Sequence, residues 1–388
     1  MHLVTEAQES LLSLCSIKEK VDIVREDSNS MVGNKVQNNG SDGEVAFVVK
    51  VVEKLLQVQR SWISNTNHIA SCQRKGIYVA WEWMVPYTSY ALDFIFHTRA
   101  LKHPCRVYNK NEAKQFYVPY YGGLDILRWH FKNVSNDGKE NLGLELVKLL
   151  ENKKSWLKHS GKDHKSMKLL IEHHLWHVND IRIPRPTYFH PHSNNDIIER
   201  QMKIIRSNRK SLISFVGATW PGAPENIRSI LINQCNSDET KYRFLNCSSG
   251  RCDKPTSVID LFMDSEFYLR PPRDSPTRKS VFDSLVSGCI PVLFDPFTTY
   301  YQYPWHLPKD HSKYSVFIGQ EEVREMKVNV VEKMMKVSVR EREDMRRFII
   351  YELLPGLVYR DSNSQLRKFQ DAFSITINNV LERVSRIE

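Results

Sequence analysis

The sequence predicts an α/β protein built on parallel sheets and divided into two domains. Three observations predict it. Short apolar runs alternate with helical patterns along most of the chain, the pattern of parallel strands covered by helices on both faces. The alternation stops at residues 183–191 (IPRPTYFHP), where three prolines forbid regular structure, and then starts again. The chain has 388 residues, 41% of them hydrophobic and 11% aromatic, enough for two domains with real cores.

The elements follow in order. Residues 1–43 are polar and irregular (SNSMVGNKVQNNGSDG) and read as disordered or a stem. In 44–58, Val45, Val48, Val52, Leu55 and Leu56 recur at helical spacing, which predicts an amphipathic helix. Residues 76–80 (GIYVA) read as a strand and 90–101 (YALDFIFHTRAL) as a helix. A buried strand is expected at 114–121, ending in the turn Gly122-Gly123, and a helix at 141–157. Residues 211–218 (SLISFVGA) open the second strand–helix series. The expected divisions are 1–43, an N-terminal domain 44–182 and a C-terminal domain 183–388.

Lys and Arg total 55 against 45 Asp and Glu, a net charge of +10 that favours anionic partners. The basic residues are scattered, and no run of like charge forms a nucleic-acid-binding arm. No stretch is apolar enough to span a bilayer, since Lys50, Glu53 and Lys54 interrupt the best candidate, and no signal peptide is visible. The sequons at Asn39, Asn133 and Asn246 are weak pointers to a secretory lumen. Of seven cysteines, none forms a CxxC pair. Cys235, Cys247 and Cys252 are expected to include a disulfide, whereas Cys289 begins a core strand and should be reduced and buried. His173 and His177 stand four apart, with His174 between them, but no HExxH glutamate accompanies them and no metal site is expected. Trp176 and Trp305-His306 suit either a core or a sugar-stacking surface.

The most informative stretch is 266–296 (EFYLRPPRDSPTRKSVFDSLVSGCIPVLFDP). Phe267-Tyr268-Leu269 reads as a strand stopped by Pro271 and Pro272. Ser275 is expected to cap a helix running from Pro276 to Ser287, which buries Val281, Leu285 and Val286 and ends at Gly288. Cys289 to Phe294 read as the next buried strand. A helix start at a strand's C-terminal end, with Arg273, Arg278 and Lys279 beside it, reads either as a phosphate site or as a capped helix with solvated charges.

This segment resembles the signature of the exostosin-like glycosyltransferases of family 47, in the plant xyloglucan galactosyltransferase branch. Phe267, Leu269, Pro271, Asp274, Ser275, Thr277, Arg278, Ser280, Phe282, Asp283, Ser284, Gly288, Cys289, Ile290, Pro291 and Val292 stand in register with that pattern. The stretches 183–191, 300–308, 313–318 and 353–384 are similar to the family too, as are Tyr117 to Asp125 and the Gly161, Asp163, His164 group. The chain departs from it at Arg273 and Pro276, at Ala80-Trp81-Glu82-Trp83, and after His164, where a piece of the N-terminal domain is missing.

The resemblance implies a GT-B fold, two Rossmann-like domains with a cleft between them. It implies an inverting transfer of a sugar, galactose being expected, from a UDP-sugar to a xyloglucan-type polysaccharide in the Golgi lumen. Other Golgi glycosyltransferases are further candidate partners, and the family's membrane anchor has no counterpart here. The expected base is Asp163 or His164. The expected donor-binding residues are Leu269, Asp274, Ser275, Thr277, Arg278 and Asp283, the last for the ribose hydroxyls. The chain has no DxD motif, so no metal cofactor is expected. The alternative is a non-catalytic relative that binds a glycan or a partner transferase.

Overall fold

A computed structural model of the chain describes residues 91–108, 117–120, 122, 134–151, 167–172, 180–218, 222–236, 241–249, 252, 254–272, 275–361, 363–364 and 366–386. The chain divides into two compact units, Met1–Ser166 and Met167–Glu388. The sequence reading placed a domain boundary at 182/183; the segment 167–182 lies between the two divisions.

In the first unit, α1 (Ala91–Leu101) buries Leu92 and Phe96, and α2 (Asn136–Glu151) buries Leu142 and Leu146. Both apolar pairs stand four apart, one stripe of each helix. Residues 117–120 form no strand, contrary to expectation. Pro119, which has no N–H for a ladder, sits in that run. The strand expected at 76–80 and the helix expected at 44–58 lie outside the described residues.

The second unit opens with β1 (Lys168–Leu170) and β2 (Asp180–Arg182), a parallel pair. Residues 183–191 have no regular structure, as the prolines require, but they do not form a free linker. Ile183 and Thr187 are fully buried. The Tyr359 hydroxyl donates to the Pro184 carbonyl at 2.7 Å, and His190 Nδ1 meets the Tyr359 carbonyl at 2.8 Å.

Next come α3 (Asn194–Ile205), β3 (Ser211–Gly217), α4 (Ile227–Asn236), β4 (Tyr242–Asn246), α5 (Pro255–Met263) and β5 (Ser265–Arg270). A capping box starts α3: Ser193 Oγ accepts from the Asp196 N–H, and the Asp196 carboxylate accepts from the Ser193 N–H at 3.2 Å. The chain continues with α6 (Lys279–Leu285), β6 (Ile290–Leu293), β7 (Val316–Phe317), α7 (Gln320–Arg324) and α8 (Val330–Lys336). Then α9 (Val339–Phe348) runs on through a π-helical turn, Ile349–Leu353, into Leu354–Leu357, and α10 (Ala372–Ser385) closes the unit.

Five strands form one all-parallel sheet in the order β4-β3-β5-β6-β7. The sheet is thus α/β and doubly wound, with the order reversing between β3 and β5. In such sheets ligands sit beyond the strand C-termini at that reversal. The central strands are apolar almost throughout, as strands covered on both faces must be: Phe267, Leu269, Ile290, Val292 and Leu293 are all fully buried.

Arg209 ties the lower corners of the sheet together. Its guanidinium donates to the carbonyls of Phe262 at 2.6 Å, Ser265 at 2.7 Å and Ser287 at 2.8 Å. Burial pulls its pKa down to about 10, and those three carbonyls replace the water it loses.

Cys247 and Cys252 form the disulfide expected within the set of three, and Cys289 is a buried free thiol, as expected; Cys235, the third of the set, is a buried free thiol too. Burial pushes both free thiols up to about 12, which makes them inert. Among the described residues no helix is long and apolar enough to cross a membrane.

Candidate functional site

The reversal point brings together the C-terminal ends of β3 and β5. After β5 the chain must turn through Pro271 and Pro272 before α6 can start. Arg270 organises that turn. It is buried, and its guanidinium donates to the Pro271 carbonyl and, at 3.4 Å, to that of Pro276. On the β3 side, the buried Arg228 in the first turn of α4 donates to the Ala218 carbonyl at 3.1 Å.

The helix start differs from the expectation. α6 begins at Lys279, not Pro276, and its N-cap is Arg278, which makes no side-chain capping bond. Ser275 does not cap it. The physical reason is a carboxylate from outside the signature. Glu172 lies just past β1, and one of its oxygens, Oε2, accepts three hydrogen bonds. They come from Ser275 Oγ at 2.5 Å, Thr277 Oγ1 at 2.5 Å and the Thr277 N–H at 3.2 Å. Arg185 Nη2 donates to Thr277 Oγ1 at 3.1 Å and lies 3.8 Å from the same oxygen. Partial burial raises the Glu172 carboxyl, but the Ser275 and Thr277 hydrogen bonds and the Arg185 charge outweigh it and hold the group below its ordinary range. The hydroxyls that would have capped the helix are therefore spent on a carboxylate.

The C-terminal end of α6 matches the expectation. Gly288 takes φ +66, its N–H bonds the Leu285 carbonyl at 2.9 Å, and the Cys289 N–H bonds the Ser284 carbonyl at 2.9 Å. That is a Schellman motif. Val281, Leu285 and Val286 are buried beneath it.

Asp283 is not a solvated carboxylate. It is 2% exposed. Lys279 Nζ donates to it at 2.8 Å and 3.0 Å, and the Tyr188 N–H donates at 3.1 Å. Burial pushes the carboxyl up, and Lys279, the Tyr188 N–H and Arg200 pull it back. Lys279 Nζ also sits 3.0 Å from the centre of the Tyr188 ring, a cation–π contact. Asp283 thereby locks α6 to the segment 183–191.

The other expected residues fall as follows. Leu269 is fully buried within β5, and Thr277 is buried beside Glu172. Arg278, the N-cap of α6, is half-buried. Asp163, His164, Arg273, Asp274, Trp176 and the histidines 173, 174 and 177 lie outside the described residues. Among the described residues no group of three potential ligands could hold a metal ion. His306 belongs to the core, its Nε2 3.2 Å from the Ala372 carbonyl. Glu172, Arg185 and Arg270 escaped the sequence reading. The one signal for Glu172 is a charge ending the apolar run Leu169-Leu170-Ile171.

Known proteins resemble the chain over most of its length. The Exostosin GT47 domain matches residues 45–169 and 165–334. The chain is 48% identical over 410 aligned positions to a xyloglucan-specific galacturonosyltransferase of Arabidopsis thaliana, covering 87% of the chain and 62% of the relative. It is 41% identical over 462 positions to an Arabidopsis thaliana protein named "Probable xyloglucan galactosyltransferase", covering 99% of the chain and 82% of that relative. It is 35% identical over 334 positions to a xyloglucan galactosyltransferase of the same plant, covering 77% of the chain and 53% of the relative. The family model covers most of the chain in two matches that meet at 165–169. The chain belongs to the exostosin family of glycosyltransferases, GT47.

Proposed function

We propose that the chain transfers a sugar from a UDP-sugar to a xyloglucan-type cell-wall polysaccharide, with inversion at the anomeric carbon. The carrying observation is the identity of 48%, 41% and 35% to relatives named for galacturonosyl or galactosyl transfer to xyloglucan. The all-parallel sheet of residues 167–388, with its reversal between β3 and β5, supports a Rossmann-like donor domain, one half of a GT-B fold. In this reading the donor diphosphate sits beyond β5, against Ser275, Thr277 and Arg278. Its leaving charge is stabilised by their hydroxyl, N–H and guanidinium donors rather than by a metal. Asp163 or His164 takes the proton from the acceptor hydroxyl.

Galactose was the sugar expected from the sequence. The 48% relative transfers galacturonate by its name, so both donors belong in the test. The Cys247–Cys252 disulfide supports folding in an oxidising compartment such as the Golgi lumen. One observation favours a second reading, a non-catalytic glycan- or partner-binding relative. The alignments of 410 and 462 positions exceed the chain's own 388 residues, so it lacks stretches that both relatives contain. Xyloglucan oligosaccharides incubated with the chain and either UDP-galactose or UDP-galacturonate decide between the readings. Transfer supports an enzyme, and UDP binding without transfer supports the second reading.

A further inference from the structure

Glu172 occupies a seat built for an oxyanion. Four donors converge there: the Ser275 hydroxyl, the Thr277 hydroxyl, the Thr277 N–H and, through Thr277 Oγ1, the Arg185 guanidinium. Three of them meet one carboxylate oxygen, which is how a protein holds a phosphate or carboxylate oxygen of a ligand. The seat lies beyond β5 at the strand-order reversal, where ligands of such sheets bind.

The occupant is held in place from behind. Tyr303 donates its hydroxyl to the carbonyl of Ile171, the residue before Glu172, at 3.0 Å. Tyr303 is fully buried, packs edge-on against Phe282 of α6 with ring centres 4.9 Å apart, and adopts φ +44, a conformation non-glycine residues rarely take. The backbone that presents Glu172 is thus tied to the helix that follows the seat. The side chain itself is 29% exposed.

We infer that Ser275, Thr277 and Arg185 form the seat for one oxyanion of the donor, and that Glu172 is an internal competitor that must swing out before the donor enters. This rests on the UDP-sugar reading above. The ligand class is an oxyanion, which a UDP-sugar supplies either from its diphosphate or, if the sugar is a uronate, from its carboxylate. An empty cationic seat would instead hold any phosphate that diffused in. A tethered carboxylate sets a threshold that only a ligand making further contacts can pass.

The test uses the full chain and isothermal titration with UDP, inorganic pyrophosphate and free galacturonate. Glu172→Ala and Glu172→Gln should each bind UDP at least about tenfold more tightly than the parent. Thr277→Val in the Glu172→Ala background should cancel that gain. A gain shared by pyrophosphate assigns the seat to the diphosphate, and a gain confined to galacturonate assigns it to the sugar carboxylate. If UDP does not bind the parent or any variant while pyrophosphate binds Glu172→Ala tightly, the gate stands and the UDP reading fails. If Glu172→Ala binds none of the three probes more tightly than the parent, with its unfolding transition intact, the gate is overturned.

Discussion

Replacing Asp283 with Ala separates two roles for a buried acid of the signature. As a ribose ligand it would be lost without cost to the fold. The structure instead places it at 2% exposure with its oxygens taken by Lys279 Nζ, at 2.8 and 3.0 Å, and by the Tyr188 N–H at 3.1 Å. Removing one partner of a buried ion pair costs roughly 3–5 kcal/mol, because the other charge is left uncompensated. The Lys279 side chain is 17% exposed and can reach some water, so the low end applies, about 3 kcal/mol. Asp283→Asn keeps an acceptor for Tyr188 and should cost less. Urea unfolding followed by tryptophan fluorescence measures both variants, and a cycle with Lys279→Gln isolates the pair's coupling. An unfolding midpoint equal to the parent's, together with weakened UDP binding, would refute the structural role and restore the ribose assignment.

Two further outcomes follow from the packing. Gly288→Ala should destabilise the chain by about 2–4 kcal/mol in the same unfolding assay, from a left-handed residue and an overpacked site. The new Cβ would lie 2.3 Å from Ile204 Cγ2 and 2.9 Å from Arg209 Nη2, and a loss under 1 kcal/mol would contradict that reasoning. His306 is buried and its pKa is lowered to about 4 from 6.5, chiefly by desolvation. Between those values the unfolded chain binds a proton the folded chain refuses, so stability falls as pH falls, by about 1.4 kcal/mol per pH unit. His306→Gln should flatten, without abolishing, the pH dependence between pH 6.5 and 4 relative to the parent, because His97, also lowered to about 4, continues to titrate in both.

Some of this was readable in the sequence because it is local. Phe267 to Leu269 and Cys289 to Phe294 are apolar runs bounded by prolines or glycine, and the structure makes them β5 and β6. Gly288 announced a helix end because few other residues accept φ +66. A disulfide among Cys235, Cys247 and Cys252 was readable from two cysteines five apart in a polar loop, but the sequence left open which of the three pair, and the structure pairs Cys247 with Cys252. What escaped depends on distant partners. Ser275-Pro276 looks like a helix start, yet Glu172, more than a hundred positions away, takes the hydroxyls of Ser275 and Thr277 and delays the helix to Lys279. Asp283 looked like a surface or ligand carboxylate because the sequence does not show that Tyr188 folds back over it. The prolines of 183–191 correctly excluded regular structure but hid how deeply Ile183 and Thr187 are buried. The expected catalytic pair, Asp163 and His164, lies outside the described residues.

The account's central claim is sugar transfer to xyloglucan. Its most direct test is mass spectrometry of xyloglucan oligosaccharides after incubation of the full chain with UDP-galactose or UDP-galacturonate, with UDP release followed in parallel. The account predicts an acceptor that gains the mass of one hexosyl or hexuronosyl unit from one of the two donors, with UDP released only when acceptor is present. A folded chain that binds UDP but leaves the acceptor mass unchanged with both donors would contradict it.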